Sequence, residues 1–484
     1  MKQNIVLIQP QIGDMDVFRD KPTPPLGLLC AASIISGETE VKIIDQRLDK
    51  NWRQSLSRAL NGETIAAGIT TMTGKMISHG IEAAREIRKL SDKPVIWGGI
   101  HPSIFPEQTL QHGLVDYVVE GEGEFVFAEL VRRLAAGKNI EDVPGIWYKK
   151  QGEIKTTGRA PLIDLNALPP APYHLIDMER YFQTYRGKRM FFYQSSRGCP
   201  CDCAYCYNRS FSLGRFRTLD VKRVLEELAS LKTRHNFELV YFIDDNFFVD
   251  KKRALEIISG LKELKLGSVF QGVDVESMAR LSDRELDFLE EAGVERMTIG
   301  IESGTDRLRI DILNKAGSID LVLSQIDRFK NRNIIILFSM MIGLPTETPE
   351  ETRKTIELGL EILEKGDNFR TAQFYIYSPY PGTELFSALQ QQGAFLPSTM
   401  EEWGIYEWDY SNMHKNQPVT KDFLERAAFL SKFLDKKMDD YGSGGKSLKL
   451  LYNLYRPIAR ARLKTGFISP LPERWSYQLL KKIY

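Results

Sequence analysis

Residues 195–208 read SSRGCPCDCAYCYN, which sets Cys199, Cys203 and Cys206 at CxxxCxxC spacing. The stretch continues MFFYQSS, an apolar run of strand length, so the cysteines fall on the loop at that strand's carboxyl end. Three thiolates on one loop hold three irons of a [4Fe-4S] cluster and leave the fourth iron an open position. A structural zinc site wants four ligands, usually as two CxxC pairs. No second pair exists and the six histidines are dispersed, so zinc is the weaker reading. Cys201 is an alternative ligand, although four residues rather than two separate it from Cys206. The fifth cysteine, Cys30, lies alone in GLLCAAS and reads as a small buried hydrophobe.

Beyond this loop the chain alternates strand-like and helix-like patterns. The strand candidates are MFFYQSS, LVYFIDD, VFQGVDV, RMTIGIES, IIILFSMMIG and TAQFYIYS, with amphipathic stretches such as VKRVLEELASLK between them. Six repeats over residues 187–395 predict a partial (β/α)6 barrel of the TIM type, whose functional groups gather at the carboxyl ends of its strands. A mostly helical region is expected over 396–484. It opens on Trp403, Tyr406, Trp408 and Tyr410, which either line a substrate cavity or pack. From Tyr441 onward nine Lys/Arg face one acid, Glu473, an excess of +8. That excess reads as a charged helix over the barrel mouth, with peripheral contact to a membrane as the second reading.

Before the loop, residues 1–135 run NIVLIQP, VKIIDQ, IAAGITT, PVIWGG and DYVVEGEGE with helical patterns between. This rhythm predicts an α/β fold, a doubly wound, Rossmann-like parallel sheet. Such sheets bind ligands at the carboxyl ends of their strands, where Gln9, Thr70, Thr71, Gly98, Gly99, Glu120 and Gly121 fall. GEGE at 121–124 is not GxGxxG and argues poorly for a dinucleotide. Residues 136–186, which carry LPPAPYHL, read as an irregular linker.

Composition narrows the function classes. Lys+Arg 65 against Asp+Glu 64 leaves a net charge of +1, too little for binding nucleic acid through the overall field, and no nucleic-acid partner is expected. With 43% hydrophobic residues over 484, the chain is long enough for several packed domains rather than disorder. MKQNIVLIQP turns polar after one short strand, and no apolar run reaches membrane-spanning length, so the expected location is cytoplasmic.

The cysteine spacing in a barrel setting resembles the radical SAM superfamily. The resemblance implies a [4Fe-4S] cluster on Cys199, Cys203 and Cys206, whose open iron chelates S-adenosylmethionine (SAM), with the main chain of Tyr205 near the adenine. FIDDNF stands where the family's glycine-rich element receives the methionyl amine, which implies that role for Asp244, Asp245 and Asn246. IGIESG places Glu302 and Ser303 toward the methionine or ribose, the alternative for Glu302 being an ion pair with Arg309. IGLPTET resembles the glycine element of the fifth strand and brings Gly343 to the adenosine, while Tyr375 and Tyr377 either flank adenine or belong to the core.

A doubly wound domain ahead of such a barrel is similar to the cobalamin-binding arrangement of the B12-dependent subgroup, which includes an oxidative cyclase and many methyltransferases. TPPLGLL at 23–29, GGIHPSIFPE at 98–107 and DYVVEGEGE at 116–124 carry that likeness. It implies cobalamin contacts from Gln9, Thr70, Thr71, Met72, Gly98, Gly99, His101, Glu120 and Gly121. The DxHxxG pattern of other cobalamin proteins is missing from QPQIGDMDVFRDK, so the cobalt is expected to lack a histidine ligand, and His101 reads as a crevice wall or nucleotide contact. A Rossmann-like module for another nucleotide is the alternative.

With both cofactors, the resemblance implies methylation of an unactivated carbon in a small-molecule or lipid-like substrate. One SAM would methylate cob(I)alamin, a second would yield a 5′-deoxyadenosyl radical, and the substrate radical would take the methyl group. An external reductant of the flavodoxin or ferredoxin type is implied as partner. An oxidative cyclase or rearrangement enzyme with the same cofactors is the alternative, and a non-catalytic iron–sulfur electron carrier is the alternative from another class. Methylthio transfer needs a second cluster, for which Cys30 alone is no ligand set. The sequence singles out no catalytic side chain.

Overall fold

The computed structural model describes residues 3–13, 21–393, 397–406, 418–435 and 446–468, and within them two seven-stranded sheets and a two-stranded ribbon. The strands of the first sheet are β1 (Asn4–Gln9), β2 (Glu40–Asp45), β3 (Thr64–Thr70), β4 (Val95–Gly98), β5 (Tyr117–Val119), β6 (Ile146–Lys150) and β7 (Glu153–Thr156). They lie in the order β2-β1-β3-β4-β5-β6-β7. The first five are mutually parallel. β1 shows why the sheet is covered on both faces. Ile5 and Leu7 pack with helices Leu26–Ile35 and Glu124–Ala136, whereas Val6 and Ile8 pack with helices Trp52–Ala59 and Lys75–Leu90. A strand apolar on both sides fits only a sheet sandwiched between helix layers.

β6 and β7 correct the linker reading. They form an antiparallel hairpin that extends the first sheet through residue 156, turning at Gln151 (φ 53°) and Gly152 (φ 85°). Two consecutive residues at positive φ make the tight turn that short hairpins use. After it the chain crosses to the second sheet through single-turn helices at Leu165–Ala167, Tyr173–Leu175 and Met178–Arg180.

The strands of the second sheet are β8 (Gln183–Tyr185), β9 (Lys188–Tyr193), β12 (Leu239–Phe242), β13 (Gly267–Val273), β14 (Val294–Glu302), β15 (Ile335–Ile342) and β16 (Phe369–Ile376). Their order is β16-β15-β14-β13-β12-β9-β8. β10 (Ser196–Arg197) and β11 (Arg217–Thr218) pair separately as the ribbon. Six parallel strands form the partial barrel, with β8 antiparallel on the edge. Phe191, Tyr193, Phe242 and Phe270 pack outward under the helices, and Met190, Phe192 and Val269 pack on the other face with Tyr185. Phe247 sits 4.3 Å from Phe270 and 4.8 Å from Phe242 between ring centroids, contacts worth about 1 kcal/mol each beyond burial. The β16 edge is covered by helix Lys421–Ser431: Phe374 N–H donates to Ser431 Oγ (2.7 Å) and Thr371 N–H to Asp435 (2.9 Å).

The basic C-terminal region sits elsewhere than expected. Ala459, Leu463 and Ile468, on and just after helix Lys446–Thr465, join the outer core of the barrel, and Arg460 pairs with Glu364 at 3.1 Å. Glu364 lies at the end of helix Pro349–Lys365, just before β16 begins, so the helix packs toward the amino ends of the strands and not over the mouth. Trp403 is fully buried, donates to Gln108 (2.7 Å) and packs with Phe105, His101 and Tyr406, so Trp403 and Tyr406 belong to the core. Trp408 and Tyr410, like Arg474, Lys481 and Lys482, lie outside the described residues. Among those described, no helix is long and apolar enough to cross a membrane.

Candidate active site

The cysteine loop is the head of the β10/β11 ribbon, in which Ser196 faces Thr218 and Arg197 faces Arg217. Its neck closes at Gly198 (φ 86°), where a Cβ would strike the Arg215 carbonyl oxygen. Ala204, between the second and third cysteines, donates its N–H to Leu313 O (2.9 Å) and accepts from Leu385 N–H (3.0 Å). Its methyl group is buried with Leu344, Tyr377 and Leu385, so the loop is pinned from below. Burial raises the Cys203 thiol and lifts Cys206 to about 12, whereas the hydrogen bond from Cys201 lowers Cys199. Among the described residues no three His, Cys, Asp or Glu side chains converge on a single ion. Cluster cysteines need not do so, because each sulfur binds a different iron. The donor set of three free thiols on one rigid loop fits a [4Fe-4S] cluster.

At the strand ends around this loop, the expected SAM residues divide. Asn246 donates to Asp274 (2.6 Å) and lies 3.8 Å from Cys199 Sγ, while its buried Oδ1 has no partner among the described residues and can accept a hydrogen bond from an ammonium group. Asp274, which the sequence reading missed, is thereby part of the site. Burial would raise its pKa, but bonds from Ser277 and Asn246 outweigh that and lower it. Glu302 stands at φ 72°, after a register shift in β14, a conformation rare outside glycine that a strand end keeps only when its surroundings enforce it. Its carboxylate accepts from Tyr205 OH (3.1 Å) and pairs with the buried Lys315 (3.6 Å), folding back over Gly300. Arg309 is not its partner; that guanidinium donates to the carbonyls of Ile301, Ala316 and Gly317. Burial opposes the Lys315 charge, yet Glu302 and Cys203 keep its pKa raised.

Two expected contacts are turned away from the site, and a third is shared with the loop neck. Asp244 is buried and accepts from the Ser195 N–H and from both the Ser195 and Ser196 hydroxyls, so its work is to hold the start of the cysteine loop. Ser303 is fully buried against Thr355 (3.4 Å) and anchors the neighbouring helix. Asp245 accepts from Gly198 N–H (2.8 Å), supporting the loop neck while lining the cavity described next. Gly343 adopts φ 77° and leads into Glu347, which accepts from Leu344 N–H (2.7 Å). Tyr375 is half-buried on β16, and Tyr377 is buried beneath the cysteine loop.

A cavity of about 470 Å³ separates the two sheets. Gln9, Thr70, Thr71, Met72, Gly98, Gly99 and Gly121 wall it from the first sheet, as the strand-end argument predicts. Tyr207, Asn208 and Asp245 wall it from the barrel, directly behind Cys206. Thr71 and Trp97 line this cavity, and their Oγ1 and Nε1 are buried without partners among the described residues, which fits a polar-rimmed ligand such as cobalamin. At Gly99 (φ 97°) a Cβ would meet Thr71 O at 2.7 Å, so a side chain there would close the crevice. Cys30 lines the same cavity rather than the core.

His101 and Glu120 do not belong to that wall. His101 is fully buried, holds Thr73 Oγ1 at 2.9 Å and packs edge-on against Trp403 and Phe105, and burial lowers its pKa to about 3. Glu120 accepts from Trp147 Nε1 (2.6 Å). The GEGE carboxylates instead join the two sheets. Glu122 takes Arg217 (2.7 Å) and Arg197 (3.2 Å), and Glu124 takes Arg197 (2.6 Å). Both arginines come from the facing residues of the loop neck, so one acidic turn of the first sheet clamps the base of the cysteine loop.

Comparison with known proteins agrees with this geometry. The B12 binding domain family matches residues 19–131 and the Radical SAM superfamily matches residues 193–359. An uncharacterized methyltransferase of Pyrococcus horikoshii is 30% identical over 86% of this chain and 89% of its own length. The anaerobic magnesium-protoporphyrin IX monomethyl ester cyclase of Cereibacter sphaeroides is 25% identical over 90% of this chain and 69% of its own. Among solved structures, the radical SAM methyltransferase TsrM of Kitasatospora setae, with cobalamin and a [4Fe-4S] cluster bound, superposes with a TM-score of 0.67 at 14% identity, covering 96% of this chain and 100% of that one. The chain belongs to the B12-dependent radical SAM enzyme family, whose cofactors are a [4Fe-4S] cluster, S-adenosylmethionine and cobalamin.

Proposed function

We propose that this enzyme methylates an unactivated carbon of a small organic substrate. The observation that carries the reading is the shared cavity, walled on one side by the carboxyl ends of the first sheet and on the other by residues abutting the cysteine loop. Cleavage of SAM at the cluster supplies hydrogen abstraction from carbon, and cobalamin supplies methyl transfer. The protein's own part is placement. Cys199, Cys203 and Cys206 hold the cluster, Asn246 Oδ1 accepts from the methionyl amine, and Lys315, with Tyr205 and Glu302, presents one cation beside two hydrogen-bonding groups. Leu7, Ile69 and Phe127 line the cavity's apolar wall and exclude water from the reacting carbon. The likeness to a methyltransferase at 30% identity favours methyl transfer over the cyclisation of the relative at 25%. An external one-electron reductant of the flavodoxin or ferredoxin type completes the system, in a reducing compartment such as the cytoplasm, where cluster thiols stay free.

The test is anaerobic reconstitution with iron, sulfide, cobalamin and a reductant, then turnover of candidate substrates with methyl-deuterated SAM. A product carrying the labelled methyl group is the expected result. A product that has lost hydrogens and gained no label establishes the cyclase reading, and absence of 5′-deoxyadenosine under reductant refutes the radical step.

A further inference from the structure

The last 44 residues hold nine Lys/Arg and one acid, so residues 1–440 carry −7 against the chain total of +1. A charge divided this sharply marks a segment built for an anionic partner. Helix Lys446–Thr465 carries six of the nine. Tyr452, Ala459 and Leu463 face the barrel, while Leu454 and Ile458 are 63% and 50% exposed. Pro457 and Ala461 extend the same exposed ridge, and Phe467 just beyond it is 65% exposed. Lys464 stands exposed beside the ridge, and no Asp or Glu occurs between 441 and 472. Exposed Leu, Ile and Phe in a cationic setting are unfavourable in water and favourable where an apolar layer underlies negative charge.

We propose that helix Lys446–Thr465 and Phe467 seat the enzyme on an anionic lipid surface, with the apolar ridge in the acyl boundary and Lys464 among the headgroups. The exposed positions from Leu454 to Phe467 run for about 20 Å along the outer face of a helix, which meets a plane more readily than a peptide in a groove. A second copy is disfavoured as its occupant, because pairing two such helices would oppose the same excess positive charge. The helix reaches Glu364, at the amino ends of the barrel strands, so the cysteine loop at their carboxyl ends faces away from the surface that the helix would contact. The proposal is independent of the reaction catalysed.

The test uses the full chain in cosedimentation with vesicles of phosphatidylcholine alone or mixed with phosphatidylglycerol, at low and high salt. Binding to the mixed vesicles, weakened by salt and negligible on phosphatidylcholine, is expected. Leu454→Ser with Ile458→Ser should reduce it by roughly tenfold or more. Lys464→Glu, which leaves the apolar ridge intact, should weaken it less. Both variants should keep wild-type circular dichroism and SAM cleavage, since neither residue set touches the site. No binding to anionic vesicles at low salt overturns the proposal. So does binding that the double variant retains, or a wild-type dimer in sedimentation velocity that the double variant converts to monomer.

Discussion

Replacing Glu122 by Gln should loosen the cysteine loop without touching any ligand. The Glu122 carboxylate accepts from Arg197 (3.2 Å), from both terminal nitrogens of Arg217 (2.7 and 2.9 Å) and from the Ile163 N–H (2.9 Å). Its side chain is 3% exposed, and those of Arg197 and Arg217 are 16% and 17% exposed. Removing one partner of a buried ion pair costs about 3–5 kcal/mol. Arg197 keeps Glu124 at 2.6 Å, which places the loss at the lower end, about 3 kcal/mol. Urea unfolding of the cluster-free protein measures it, and hydrogen exchange on peptides spanning 198–216 should show faster exchange at the loop neck. A loss below about 0.5 kcal/mol with unchanged exchange would refute the clamp. Burial alone would raise the Glu122 pKa, but the Arg217 hydrogen bond and the Arg197 charge outweigh it and hold the group below its ordinary 4.5. A depressed folded value means that the stabilisation is complete above that ordinary value and disappears as pH falls through the lowered one, so the difference between wild type and Glu122→Gln should shrink in acid.

Cys203→Ala should abolish iron incorporation and 5′-deoxyadenosine formation, whereas Cys201→Ala should retain both; iron analysis and chromatography decide, and the reverse pattern would move the ligand assignment. Gly300→Ala places a methyl group against the Glu302 carboxylate and 3.1 Å from Lys315 Nζ, so it and Glu302→Gln should each raise the KM for SAM by roughly tenfold. Substituting His101 by Asn should leave the absorption spectrum of bound cobalamin unchanged, since the ring lies outside the cavity wall; a spectral shift would make it a cobalt contact. Because burial holds His101 near 3 against an ordinary 6.5, the unfolded chain binds the extra proton between those values. Wild-type stability should therefore decrease as the pH is lowered through that window, a slope that His101→Asn removes.

The parts legible in the sequence were those written in local period and spacing. β1 to β5 and the six parallel barrel strands follow from apolar runs between amphipathic helices, and the three cysteines follow from spacing on one loop. The β6/β7 hairpin escaped because its strands are short and half polar, and its turn signal, Gln151-Gly152, is weak without a dihedral angle. Asp274, Lys315 and Arg197 escaped for a different reason. Each acts through a partner far along the chain: Asn246 for Asp274, Glu302 for Lys315, and the GEGE carboxylates for Arg197. Asp244 and Asp245 illustrate the converse. Position in a motif assigned both to a ligand, but the hydroxyls of Ser195 and Ser196 claim Asp244 for the scaffold.

An open curved sheet ends in a row of amide and carbonyl groups that any passing chain can pair with. On β16 two of those amides are answered by side chains, Ser431 at the end of a helix and Asp435 just after it, 57 and 64 residues downstream. Protection of that border thus arrives late in synthesis, after the whole barrel has left the ribosome. A chain cut off before residue 418 would keep every cofactor-facing residue named above yet expose a sticky flank, and would be lost to intermolecular β-pairing rather than to any failure of chemistry.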